Sequence, residues 1–283
     1  MTPAVTTTPS NPKPVLVVGG SGKTGRRVAD RLRALGLPVR IGSRSGAPAF
    51  DWNDPAGWPA ALAGTGAAYI AYSPDLAVPG APEAIAAFAE VALAAGARRL
   101  VLLSGRGEEE AERAERALQA SGADWTIVRC SWFMQNFSEG HFRDAVLAGE
   151  LALPVGDVAE PFVDVDDIAD VAVAALTDAR HVGQLYELTG PRSLSFAEAI
   201  RAIALASSRT VRYTTVPPDA FVAESRRQQV PEDLIGFLRY LFEEVLDGRN
   251  VRPADGVQRA LGRAPRDFDA FAREAAHAGA WKD

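Results

Sequence analysis

Residues 15–32 read VLVVGGSGKTGRRVADRL, and two phosphate-loop signatures compete within them. Four apolar residues, Val15 to Val18, read as a buried strand, after which Val28, Leu32 and Leu35 share one helical face until Gly36 stops it. GSGKT resembles the loop that wraps a nucleoside triphosphate, but that loop needs G-x-x-x-x-G-K-[ST]. Counting back from Gly22-Lys23-Thr24 places its first glycine at position 17, which is Val17, inside the strand. The long loop cannot form. The glycines that fit are Gly19, Gly22 and Gly25, three apart at a strand-to-helix turn. Such a turn lets backbone approach a pyrophosphate, whose charge is met by the amides and dipole of the helix start.

Outward from this turn, short apolar runs alternate with helical patterns. Strands are predicted at 15–18, 38–43, 49–52 (AFDW), 67–73, 99–105 and 125–129. Helices are predicted between them: one opened by Asp54-Pro55 and closed by Gly64, an alanine-rich one over 82–96, and a charged one over 108–120. A helix at 166–176, capped by Asp166 or Asp167, and a strand at 184–188 return to the same sheet. Ser195 and Glu198 make a capping box for a helix reaching about residue 207. A small strand follows at 210–214, and the remainder reads helical. This alternation implies an α/β fold, a Rossmann-type doubly wound parallel sheet with a smaller C-terminal substrate lobe. The expected division is a flexible tail over 1–14, a nucleotide-binding core over 15–129 with 160–188, and a substrate lobe over 130–159 and 189–283.

With 283 residues the chain can bury a full core, and its net charge of −6 gives no electrostatic reason to approach nucleic acid or an anionic membrane. Cys130 is the lone cysteine and the three histidines are scattered, so neither a disulfide nor a metal-ligand spacing is present. The polar residues 1–14 lack the apolar core of a secretory signal, and no window reaches the roughly 20 apolar residues of a spanning helix. A cytoplasmic protein is expected.

The second strand selects the nucleotide. An NAD site wants an acid near its end to hold the ribose hydroxyls; here IGSRSG offers Ser43 and Arg44, which suit a 2′-phosphate. The expected cofactor is therefore NADP(H). The plainer reading of Arg44 is a solvated surface cation.

The glycine loop, the basic second strand and LLSG at 102–105 together resemble the short-chain dehydrogenase/reductase superfamily in its atypical, extended branch. More narrowly, the chain resembles the NmrA-like NAD(P)-binding proteins, a family that includes NADPH-dependent quinone and azo reductases and redox-sensing regulators. The runs at 19–32, 124–140, 161–178, 186–199 and 245–268 carry that resemblance along the whole chain. It implies that Gly19, Ser21, Gly22, Lys23, Thr24 and Gly25 line the pyrophosphate, with Ser43 and Arg44 on the 2′-phosphate and Asp51 and Trp52 near adenine. Tyr72 and Ser73 would lie beside the nicotinamide ribose, and Ser104 and Gly105 where ordinary members carry a catalytic serine.

The departure is as informative. Ordinary short-chain dehydrogenases place Tyr-x-x-x-Lys on the next helix, the lysine lowering the tyrosine's pKa. This helix reads EEEAERAERALQASG from Glu108, with neither residue; pairs such as Glu109–Arg113 and Glu112–Arg116 suggest a solvated face instead. The usual proline after the sixth-strand arginine is Cys130.

Candidate substrate contacts follow the sixth strand in SWFMQNFSEGHF, 131–142. Trp132, Phe133, Met134, Phe137 and Phe142 either wall a flat apolar pocket or pack the second lobe, and Asn136 orients backbone or ligand. His141, Ser104 and Tyr72 are the candidates for proton transfer or hydrogen bonding. The function expected from the resemblance is an NADPH-dependent reductase passing hydride to a small conjugated electrophile: a quinone, azo compound, enone or imine. The alternatives are a non-catalytic NADP(H)-sensing regulator that binds a protein partner, and a biosynthetic epimerase, dehydratase or cyclase.

Overall fold

The computed structural model describes residues 12–282; residues 1–11, most of the expected tail, lie outside the described residues. Strand β1, Val15–Val18, is buried along its whole length. Helix α1, Lys23–Ala34, follows it and turns Val28, Ala29 and Leu32 inward. Leu35, expected on that face, is instead the cap residue and 61% exposed, because Gly36 at φ +74° ends the helix immediately behind it.

Next come β2 (Val39–Gly42), α2 (Trp58–Leu62), β3 (Ala67–Ile70), α3 (Ala81–Ala94), β4 (Arg99–Gly105), α4 (Glu109–Ala120) and β5 (Asp124–Cys130). The strand expected at 49–52 is absent. β1 already has β2 on one side and β3 on the other, so no inner slot remains. Asp51 bends the chain by accepting from the Asn53 amide at 3.0 Å, an Asx turn. The apolar residues of the segment serve an aromatic cluster instead, with Phe50 stacked on Trp58 at 6.1 Å and edge-on to Phe88 at 5.8 Å.

After β5 the chain forms α5 (His141–Ala148), β6 (Glu150–Leu153), β7 (Ala159–Glu160) and α6 (Val165–Thr177), then returns to the sheet as β8 (Gln184–Leu188). Asp164, rather than Asp166 or Asp167, caps α6, accepting from the Asp166 amide at 2.7 Å. The remainder is β9 (Leu194–Ser195), α7 (Phe196–Ser207) with its Ser195–Glu198 capping box, β10 (Arg212–Thr215), α8 (Pro218–Arg227), α9 (Glu232–Tyr240), α10 (Gly256–Leu261) and α11 (Phe268–His277).

The central sheet has the order β2-β1-β3-β4-β5-β8 and is parallel throughout. One face packs on α1, α6 and α10, the other on α2, α3 and α4, and a third apolar cluster fills the region beyond β5. Strand order reverses at β1, so a crevice opens between the carboxyl ends of β1 and β3, the place where such sheets take ligands.

Candidate active site

The glycine turn occupies that crevice. Gly19 leaves β1 at φ +70°, its amide bonded to the Gly42 carbonyl at 3.0 Å, and the Gly22 amide closes the turn onto the Gly19 carbonyl at 2.9 Å. A Cβ on Gly25 would stand 2.3 Å from the Gly19 carbonyl oxygen, and one on Gly19 would stand 3.1 Å from the Ala71 Cβ across the crevice. The backbone is thus pressed close, and no side chain fills the cradle. Gly22 caps α1 without a side-chain bond, and the first turn carries no acid. The free amides, the helix dipole and exposed Ser21 and Gly22 fit a diphosphate. Thr24 is buried beneath the turn. Lys23 reaches across to Asn136 Oδ1 at 3.1 Å, and burial pulls its ammonium below its ordinary pKa. Arg27 bonds Glu139 at 2.6 Å and Arg31 bonds Asp166 at 2.6 Å, so the segment after β5 and helix α6 brace α1.

On the β2 side Ser43 is half-buried, while Arg44 is exposed with no ion pair among the described residues. Trp52 donates to the Ala71 carbonyl at 3.3 Å and leans on the Tyr72 ring at 4.7 Å, with Asp51 half-buried beside it and Ser73 exposed. Partial burial raises the Tyr72 hydroxyl above its ordinary pKa.

On the β4 side the arrangement departs from expectation. Ser104 is buried, and its hydroxyl donates to Glu115 Oε1 at 2.6 Å. Arg129 holds the same oxygen at 2.9 Å and also reaches Glu187 at 3.1 Å. The hydroxyl expected to face a ligand is committed to a buried ion pair. Helix α4 has the solvated face expected of it, with Glu109, Arg113 and Arg116 exposed, but it also turns an acid inward. Arg113 pairs with Glu110 at 2.7 Å rather than with Glu109, Arg116 is 3.8 Å from Glu112, and Glu115 turns inward.

The aromatics of 131–142 settle on packing. Met134 and Phe137 are 1% and 0% exposed inside the lobe core, Phe137 meeting Phe162 at 5.5 Å and Phe268 at 5.6 Å. Trp132 and Phe142 lie parallel at 6.4 Å against that core, and Phe133 packs on the sheet cluster. These five side chains do not wall an open pocket as one group; only Asn136, through Lys23, touches the glycine loop. His141 opens α5, and its side chain lies outside the described residues. A cavity of about 400 Å³ lined by Lys13, Arg98 and Asp124 sits at the amino end of the sheet, away from the crevice.

Sequence reasoning missed two acids. Glu108 carries its carboxyl onto Gly105, where a Cβ would lie 2.3–2.4 Å from all three carboxyl atoms. Asp75, in the loop after β3, comes within hydrogen-bonding reach of that carboxyl. Nothing in the run EEE sets Glu108 apart from its neighbours; Gly105, three residues earlier, is the available signal.

A parallel doubly wound sheet with a side-chain-free glycine cradle at its switch point and an uncapped helix start defines a dinucleotide-binding Rossmann protein. A sequence profile of NAD(P)H-binding proteins matches residues 19–179, and that of the NmrA-like family matches residues 110–267. The oxidoreductase YesF of Bacillus subtilis is 34% identical over 279 residues, covering 95% of this chain and 96% of the relative. The NAD(P)H azoreductase of Xenophilus azovorans is 31% identical over 94% of this chain and 99% of its own length. In solved structures, the Escherichia coli NADPH-dependent quinone oxidoreductase bound to NADPH superposes with a TM-score of 0.77 at 18% identity, covering 92% of this chain and 99% of that one. The chain belongs to the NmrA-like family of NAD(P)H-binding proteins, and it is an NAD(P)H-dependent oxidoreductase. No helix among the described residues is long and apolar enough to cross a membrane.

Proposed function

We propose that the protein is an NADPH-dependent reductase that passes hydride to a small conjugated electrophile: a quinone, azo compound, enone or imine. The observation that carries the reading is the uncapped start of α1 behind the glycine turn, where Gly19 to Gly25 with Ser21, Lys23 and Thr24 would hold the diphosphate. Ser43 and Arg44 would hold the 2′-phosphate, and Asp51 and Trp52 the adenine end. Tyr72, Ser73 and Gly105 would flank the opposite nucleoside. Residues 15–129 with 160–188 form the nucleotide-binding part in this proposal, and 130–159 with 189–283 the acceptor side. The lone buried thiol suits a reducing cytoplasm.

Bound NADPH supplies the hydride. The chain contributes positioning, and it can do so without Tyr-x-x-x-Lys because an electron-poor conjugated acceptor accepts hydride readily. Calorimetry with NADP⁺, NADPH and their unphosphorylated counterparts tests the nucleotide, and NADPH oxidation over a panel of these acceptors tests the chemistry. Tight NADPH binding with no turnover on any acceptor would favour a second reading, a nucleotide-sensing regulator. The commitment of Ser104 to Glu115 supports that alternative.

A further inference from the structure

Glu108 is 9% exposed, and among the described residues no donor reaches its Oε2. The hydrogen-bonding group within its reach is Asp75, another carboxyl. Two carboxylates in contact repel; two carboxyls sharing one proton do not. Asp75 Oδ1 accepts the Ala77 amide at 2.9 Å, which favours the ionised form there and leaves the proton on Glu108. Of the other groups facing Glu108, Glu115 from α4 is acidic and Cys130 from β5 and Tyr240 from α9 bring no positive charge, which outweighs the opposing positive end of α4, where Glu108 is the cap residue. The carboxyl sits at the carboxyl end of β4, on Gly105. With the diphosphate on Gly19–Gly25 and the 2′-phosphate toward β2, the rest of the dinucleotide would run across the sheet toward β3 and β4.

We propose that Glu108 is the proton donor of the reduction and that Asp75 is the positioning residue that keeps it protonated. The inference rests on the reductase reading above. NADPH, when bound, would supply the hydride; the acceptor's π electrons would shift to the far heteroatom, and that atom would take the Glu108 proton. Water then reprotonates the carboxylate. Burial and the negative neighbours hold the Glu108 carboxyl well above the usual range, consistent with a reservoir charged near neutral pH.

The test compares two acceptors. A neutral azo dye or enone needs hydride and a proton, whereas a triarylmethyl cation becomes neutral on hydride alone. Glu108→Gln should lower kcat/KM about 100-fold on the neutral acceptor and leave the cation rate and the NADPH dissociation constant unchanged. Equal losses on both acceptors, or no loss on either, overturn the proposal. A second readout needs no turnover. In the infrared, the difference between unliganded wild type and Glu108→Gln near pH 8, where the Glu160 carboxyl is largely ionised, should show a protonated-carboxyl stretch, and a difference spectrum without it overturns the proposal. Asp75→Asn removes the charge that raises Glu108, so the alkaline fall of kcat/KM should move to lower pH; an unmoved or raised limb counts against it. A wild type that binds NADPH, shows the infrared band and reduces nothing takes down the reductase reading, and the donor role with it.

Discussion

Helices α1 and α4 both rise from the carboxyl end of a central strand, yet their first turns are opposites. α1 begins with an uncapped glycine and no acid, leaving its amides and positive dipole end open. α4 begins with Glu108, Glu109, Glu110 and Glu112, which occupy the equivalent field with carboxyl groups. One helix start can receive a phosphate; the other repels one and stores acid. The crevice thereby acquires a direction, an open helix start at β1 and acidic groups at β4, before any ligand is considered.

The closed side is held by charge. Glu115, 2% exposed, is shared by Ser104 and Arg129, so Glu115→Ala should leave a half-buried guanidinium short of its principal partner. The expected cost is about 3–5 kcal/mol in denaturant unfolding, since breaking a buried pair strands the remaining charge. A loss below about 1 kcal/mol would mean that Glu187 and Glu112 fully replace it. The open side is held by the absence of side chains. Gly25→Ala forces a methyl onto the Gly19 carbonyl and should weaken NADPH about 100-fold, or 2.7 kcal/mol, by calorimetry. Gly156→Ala, where a Cβ meets nothing within 4 Å, is the matched control and should change nothing.

The two helix starts were not equally legible. The glycine turn could be read because its constraint is local: three glycines at fixed spacing after four apolar residues leave the backbone few options. The sheet followed from alternation, with the exception of 49–52, where the composition of a strand had no free neighbour to pair with. The α4 side was opaque for the converse reason. Whether Glu108 or Glu115 is solvated depends on Asp75, 33 positions upstream of Glu108, and on Arg129, 14 downstream of Glu115, and i,i+4 spacing carries no information about either. The aromatics after β5 were open for a similar reason, since a run of Trp, Phe and Met serves a core as readily as a pocket, and distant Phe162, Phe196 and Phe268 draw Phe137 into the core while Trp132 and Phe133 stay half-buried.

Glu160 extends the comparison to pH. It lies beside the acidic end of the crevice, accepting from Ser131 at 2.5 Å, and burial raises its carboxyl to about 7 despite that bond and the nearby Arg106. A folded-state value above the unfolded one means that the native protein holds the proton more tightly. The stabilisation is complete below about pH 4.5 and is lost as pH rises through 7. Wild type should therefore lose about 2–3 kcal/mol more than Glu160→Gln between pH 5 and pH 8 in urea unfolding. Parallel pH profiles would show that Glu160 ionises freely and that the acidic end is wetter than its burial implies.

The smallest effect expected probes the far end of the open side. Arg44 is exposed, so its removal should not alter stability, and its contribution to binding is limited by the solvent around it. With no acid at the end of β2 to hold a ribose hydroxyl pair, discrimination between the two nucleotides would, in the proposed site, fall to this guanidinium and the Ser43 hydroxyl. Arg44→Ala should weaken NADPH about tenfold, or 1.4 kcal/mol, and leave NADH unchanged, narrowing the gap in calorimetry. Arg44→Lys should recover only part of that loss, because an ammonium keeps the charge but not the two-pronged contact with a phosphate. Equal dissociation constants for NADPH and NADH in the wild type would show that the direction of the crevice is set at the diphosphate alone.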